Sequence, residues 1–193
     1  MSTTTIPQIK PVNDAREIAG ILQLQQQNLR SNISEEEKSS QGFLSISHDT
    51  ATLQSMVNKV PQFVAVAGYQ VAGYVLSMTP AMTHEVPTLT PMFDTFDKAI
   101  AGGRPIASYN YVACGQACVG KDFRGQGLLT ALYEKMREDL SARFELCVTA
   151  IAVDNGRSMR AHGKVGFRPL CNYWDHGVEW TIVAWDWNNL YTK

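Results

Sequence analysis

Two glycines one residue apart, Gly125 and Gly127, join a run of small and β-branched residues that ends at Val119 to an amphipathic run that begins at Leu128. No other stretch constrains the chain as tightly. Tyr109 to Val119 has the length and composition of a strand, while Leu128, Leu132, Met136 and Leu140 recur along one helix face from about Gly127 to Leu140. A strand that turns on glycine straight into a helix gathers the helix's unpaired amides and the positive end of its dipole at the turn. Such a turn favours an anion.

The rest of the chain alternates in the same way. A first strand near Ile6 to Val12 precedes a helix over Asn13 to Arg30, with Ile18, Ile21, Leu22, Gln25 and Leu29 at helical spacing and Asp14 and Glu17 as its opening pair. Ser34 and Glu37 repeat that capping signature, and Ala51 to Val60 reads as a further helix. No charged residue occurs from Val60 through His84, which is long enough to span a bilayer, but Pro61 and Pro80 bracket two β-rich runs around Gly68-Tyr69-Gln70. A hairpin in a buried sheet is expected there, and no membrane span.

Periodicity is lost between Pro80 and Pro105, where Pro87, Pro91, Gly102 and Gly103 interrupt the segment and Met82, Met92, Phe93 and Phe96 supply apolar surface. Two readings stay open for this irregular insertion: a binding wall or lid, or a surface loop packed by its own aromatics or against the second copy of a homodimer. Beyond the glycine turn, Phe144 to Val153 reads as an interior strand, Asp154-Asn155 cap a short helix that Gly166 ends, and two strands follow around Asp175-His176-Gly177. With no repeat and no linker, a single mixed α/β domain is expected over residues 1–193.

Composition narrows the functions open to such a domain. At 45% hydrophobic residues the 193-residue chain has ample material for a core. Its 17 basic against 18 acidic residues give a net charge of -1, so no global positive field draws it to nucleic acid or anionic lipid. A polar amino terminus without an apolar run argues against a secretory signal and makes a reducing cytoplasm the expected location. Cys114, Cys118, Cys147 and Cys171 form no CxxC pair and have no histidine at zinc-site spacing, so reduced core thiols are expected and no metal.

Three phosphate-binding signatures compete for the glycine-rich region. Gly115 to Lys121 has the glycine and lysine spacing of a Walker A loop, but Asp122 stands where Ser or Thr would ligate magnesium, and Gln116 to Val119 read as strand. A dinucleotide fingerprint lacks its third glycine, because Gly125-Gln126-Gly127 runs into Leu128-Leu129-Thr130. The third signature fits. Arg124-Gly125-Gln126-Gly127-Leu128-Leu129, followed one strand later by Asn155-Gly156-Arg157-Ser158-Met159-Arg160-Ala161-His162-Gly163-Lys164-Val165-Gly166-Phe167, resembles the GNAT superfamily of acyl-CoA-dependent N-acetyltransferases over roughly Tyr111 to Leu170. Leu129 departs from the Gly or Ala usual in that family, and His162 from its commonest residue, tyrosine.

The resemblance implies a mostly antiparallel central sheet of six or seven strands flanked by about four helices, with a diverging strand pair that holds the pantetheine arm of CoA. By the match, Cys118 and Val119 offer main-chain groups to the arm and thioester; Arg124, Gly125, Gln126, Gly127, Leu128 and Leu129 form the pyrophosphate loop; Asn155 and Ser158 complete the cofactor site. Acetyl-CoA is the implied co-substrate, without metal. The implied activity is transfer of an acetyl or other short acyl group to a primary amine, small or peptidic, by direct attack; the alternative is a domain that binds acyl-CoA as a sensor or scaffold without transferring it. A main-chain amide facing the thioester oxygen would stabilise its developing charge by roughly 3 kcal/mol.

His162 stands at the family's general-acid position, where it would protonate or hydrogen-bond the departing thiolate or simply pack against the cofactor. Odd-numbered residues of Tyr109 to Val119 share a face, and no carboxylate or histidine occupies it. Tyr111 is the candidate there, as a relay through water or as a structural tyrosine, with Glu85, Asp94 and Asp97 in the insertion as further carboxylates that could reach the site.

Overall fold

The computed structural model describes residues 6–83 and 90–188. β1 (Gln8–Pro11) leads into α1 (Ala15–Asn28), whose N-cap Asp14 accepts hydrogen bonds from the amides of Arg16 and Glu17 at 2.8 and 3.0 Å. α2 (Glu35–Gln41) begins with a complete capping box between Ser34 and Glu37, and α3 (Thr50–Lys59) is capped by Asp49. These caps satisfy amides that the first helical turn leaves without partners. The hairpin of β2 (Phe63–Ala67) and β3 (Gln70–Met78) follows, buried along almost its whole length. It accounts for the uncharged run, and no helix among the described residues is long and apolar enough to cross a membrane.

The described part of the insertion is more regular than the sequence indicates. Residues 90–98 form α4 (Thr90–Lys98), with Phe93 and Phe96 buried edge to face at 5.9 Å, and a small ladder joins β4 (Ile100–Ala101) to β5 (Arg104–Pro105). Pro91 sits in the first turn of α4, where a missing amide costs no hydrogen bond. A proline read as a breaker is therefore a helix opener.

β6 (Tyr111–Val119), α5 (Leu128–Leu140), β7 (Leu146–Ala152), α6 (Gly156–Val165), β8 (Arg168–Asp175) and β9 (Val178–Asp186) complete the chain. The seven long strands form one sheet in the order β1-β2-β3-β6-β7-β9-β8, antiparallel except for β6 with β7. This is the expected mostly antiparallel sheet, flanked by six helices among the described residues instead of about four. Gly73 of β3 lies beneath Leu132 of α5, and the next side chain, Tyr74, points the other way toward Gln25 of α1. Helices thus cover both faces. Buried Gln62 ties the second face together, donating to the carbonyls of Val60 and Ser77 and accepting from the Ser77 amide at 2.7 Å.

Candidate functional site

β6 and β7 pair only over Tyr111, Val112 and Ala113, opposite Leu146, Cys147 and Val148. Beyond that point β6 stays on β3 as far as Val119, and β7 stays on β9 as far as Ala152. The two strands therefore part, and each turns main-chain groups toward the gap. At the fork Thr149 Oγ1 donates to the Cys114 carbonyl at 2.8 Å, bonding a group that the ended ladder leaves over.

A bulge sits at the same level. Leu76 pairs with Gln116 and Ser77 with Cys114, so Gly115 is an extra residue in β6. It reverses the alternation: Cys114 meets Tyr133 of α5 at 3.0 Å, whereas Gln116 bonds Tyr74 and the Ile46 carbonyl at 2.6 and 2.7 Å. The odd-numbered face expected from Tyr109 to Gly115 consequently ends at the bulge. Gln116 and Cys118 continue the side begun by Tyr111 and Ala113.

After β6 the chain turns through Gly125 and Gly127, at φ +77° and +76°, into α5. Nothing lies within 4 Å of a Cβ built on either glycine, so backbone conformation and not crowding demands them. The first backbone bond closing α5 runs from Ala131 N–H to the Gly127 carbonyl, which leaves the amides ahead of it directed out of the helix. Arg124 braces the turn: Nε donates to the Val119 carbonyl at 3.0 Å and its guanidinium to Asn28 Oδ1 at 2.6 Å, while Asn28 Nδ2 donates to the Leu24 carbonyl. The arginine thereby fastens the turn to the last turn of α1.

This turn borders a cavity of about 430 Å³ that also takes in Cys118, Val119, Leu128, Leu129, Asn155 and Ser158. Of the residues expected to bind cofactor, only Gln126 is absent from its lining; the Gln126 side chain donates to the Asp122 carbonyl. Asn155 caps α6 by accepting the Ser158 amide at 3.1 Å, so the amino ends of α5 and α6 open on the same space. Arg157, Arg160 and Lys164 of α6 add cationic groups to it. At the fork itself a second cavity of about 500 Å³ is bounded by Cys114, Gly115, Gln116, Thr149, His162 and the β8–β9 hairpin. The cavities share Phe43, Leu44, Ala117 and Asn155 as a common wall.

His162 borders the second cavity but is itself buried, with only 6% exposed. Nδ1 lies 2.8 Å from the Ser158 carbonyl, which can only accept, so the proton sits on Nδ1 and Nε2 accepts from Tyr133 at 2.8 Å. Burial pulls its pKa down to about 4, which leaves the ring neutral at pH 7. Tyr111 lines neither cavity; its hydroxyl donates to Asp97 Oδ1 of α4 at 2.8 Å, and burial with that carboxylate raises its pKa. Asp94 and Asp97 also lie outside both linings, and Glu85 falls outside the described residues.

No family model matches the sequence, and no curated protein does. Solved structures match it well. NAA60 of Arabidopsis thaliana in complex with acetyl-CoA superposes with a TM-score of 0.63 at 13% identity, over 93% of this chain and 99% of that one. The ribosomal-protein-S18-alanine N-acetyltransferase from Escherichia coli gives 0.59 at 12% identity, over 94% of each chain. The chain has the GNAT acetyltransferase fold. The NatC complex bound to Gag peptide and CoA shares that GNAT fold too, with a TM-score of 0.62 at 12% identity, over 94% of this chain and 98% of that one.

Sequence reasoning missed part of the surroundings of the fork. Phe43 and Leu44 reach it because Leu44 N–H donates to the Asn28 carbonyl and Arg30 N–H to the Leu44 carbonyl, a bridge between distant segments that local pattern does not encode. Arg157, Arg160, Ala161 and Lys164 were legible in principle, since spacings of three, four and seven put them along one stripe of α6.

Proposed function

We propose that the protein transfers an acetyl or other short acyl group from acetyl-CoA to a primary amine by direct attack on the thioester. The observation that carries this reading is the parted β6–β7 pair, whose diverging ends line one cavity that shares a wall with another opening on the glycine turn. The donor set suits CoA. The unpaired amides from Gly125 to Leu129, the start of α5 and the cations of α6 would receive its pyrophosphate, with Arg124 holding the turn and Asn155 and Ser158 at the start of α6. At the end of β6 the Val119 amide is turned away from β3, and with the neighbouring Cys118 it would line the path of the pantetheine arm as a strand edge holds a peptide.

Bound in this way, the thioester would lie at the wall shared by the two cavities and the amine would approach from the second. Alignment of the two reactants contributes about 7 to 11 kcal/mol, more than the roughly 4.6 kcal/mol that deprotonating a lysine-like amine costs at pH 7. The chain's task is therefore mainly to hold, orient and shield. His162, with Nδ1 committed to Ser158 and Nε2 to Tyr133, serves this arrangement better as a neutral wall than as a proton donor. Tyr111, bonded to Asp97, anchors α4 to the sheet.

Titration calorimetry with acetyl-CoA in the presence of a chelator, paired with release of CoA thiol against a library of amines, tests the proposal. Saturable binding with a constant between about 1 μM and 1 mM, and amine-dependent thiol release above hydrolysis, is the expected result. No heat at millimolar acetyl-CoA would overturn it. The engaged nitrogens of His162 favour one second reading, a sensor that binds acyl-CoA without transferring it; tight binding with no thiol release for any amine would select that reading.

A further inference from the structure

The proposed acyl transfer leaves one proton without a named acceptor. An ammonium with a pKa of about 10.4 is charged at pH 7 and has no lone pair with which to attack. Among the described residues, the second cavity is lined by six titratable side chains: Arg30, Cys114, His162, Tyr173, Asp175 and His176. Four of them are unsuited to take that proton. Arg30 is a permanent cation. Burial pushes the Cys114 thiol up to about 12 and raises the Tyr173 phenol as well, so both keep their protons. His162 has its basic nitrogen against Tyr133.

Asp175 and His176 remain, and they form a pair. His176 Nδ1 lies 2.8 Å from Asp175 Oδ1, so the carboxylate holds that nitrogen and leaves Nε2 as the basic one. The pair sits at the tip of the β8–β9 hairpin, where Asp175 pairs with Val178 across the two central residues His176 and Gly177. His176 has φ +48°, the only positive value of a non-glycine residue among those described, and Gly177 follows at +77°. Two-residue turns with both central φ positive favour Asn, Asp and Gly. A histidine held there at a steric cost is the kind of local strain that collects at functional sites.

Resting on the acyl-transfer reading above, we infer that His176, oriented by Asp175, is the general base for the acceptor amine. Nε2 takes one proton from the ammonium, and the resulting imidazolium is balanced by the Asp175 carboxylate. The freed lone pair of the amine nitrogen forms the C–N bond, the C–S bond breaks, and its electron pair leaves on sulfur. A second proton from nitrogen ends on the thiolate as CoA thiol. With its side chain 85% exposed at the cavity mouth, His176 returns the first proton to water. The charged and titratable groups that line the cavity with it are Asp175, Arg30, Tyr173, Cys114 and neutral His162.

The test compares the full chain with His176→Asn, which keeps the turn because asparagine accepts positive φ, and with Asp175→Asn. The probes are acetyl-CoA with phenethylamine, hexylamine and a short peptide with a free amino terminus, the first chosen for the Phe43, Tyr173 and Trp180 lining. Expected for His176→Asn is a fall of about 100-fold in kcat/KM for the amine at pH 7, with unchanged acetyl-CoA affinity. The loss should shrink as pH approaches the amine's own pKa, where no base is needed. Asp175→Asn should shift the acidic limb of the pH–rate profile. Turnover of His176→Asn within a few-fold of the wild type across the pH range overturns the inference, whereas a wild type that binds acetyl-CoA but acetylates none of the three amines counts against the acyl-transfer reading on which it rests. Failure to bind acetyl-CoA at all would sink that underlying reading outright.

Discussion

Tyr133 of α5 donates a 2.8 Å hydrogen bond to Nε2 of His162 on α6, and the two rings meet edge to face at 5.3 Å. Phe167 closes on both rings, at 5.0 Å from Tyr133 and 5.2 Å from His162. Protonating His162 would place a charge in this dry cluster opposite a hydroxyl that is already donating. That is why burial draws its pKa down to about 4.

The consequence for stability has a definite sign. The unfolded histidine titrates near 6.5 and binds protons that the folded one refuses, so stability is complete above about pH 6.5 and is lost as pH falls toward 4. His48, also held low by burial, adds to the same limb. Chemical denaturation at pH 7 and pH 4.5 should show His162 costing the wild type about 2 to 3 kcal/mol between them, and His162→Phe should flatten that difference. A variant with the full pH dependence would refute this origin.

Gly127→Ala should lower stability by about 1 to 2 kcal/mol, because φ +76° is the left-handed region and alanine pays for it with its Cβ. No neighbour obstructs the new methyl group. Relaxation of the turn will re-aim the amides at the start of α5, so acetyl-CoA affinity should fall by at least 10-fold in calorimetry. Gly127→Asn, which tolerates the conformation, should lose less of both.

Ala117→Leu probes the wall common to the two cavities. The larger side chain projects into space and not into the core, so the melting temperature should stay within a few degrees. Acetyl-CoA affinity and amine-dependent thiol release should both drop by at least 10-fold. Retention of both would detach the cavities from the proposed reaction.

Tyr111→Phe removes the hydrogen bond to Asp97, which fastens α4 to β6. A loss of about 1.5 to 3 kcal/mol is expected, as for bonds to charged groups, with kcat unchanged for whatever amine the wild type uses. A fall in kcat exceeding the fall in stability would return Tyr111 to the reaction.

The anion-binding half of the site was legible because its elements are local. A strand, two glycines and a helix face within Tyr109 to Leu140 fix the turn without help from the remainder of the chain, and Asn155 caps α6 through its own neighbours. Three features were not legible, each for a different reason. α4 was hidden because Pro91 reads as a breaker unless its place in the first turn is known. The bulge at Gly115 depends on the register against β3, which pairs residues some forty positions apart. The approach of Phe43 and of the Asp175–His176 tip to one cavity arises only when the fork and the hairpin have assembled.

Gly115 gives β6 one residue more than its partner β3 requires. Deleting that single residue would leave Gln116 opposite Leu76 and Cys114 opposite Ser77 in an uninterrupted ladder, with Gln116 still facing Tyr74 and Cys114 still facing Tyr133. The surplus residue therefore sets the course of the strand and not the facing of its side chains: without the bend and added twist it brings, β6 would run on straight beside β3 just where it leaves β7.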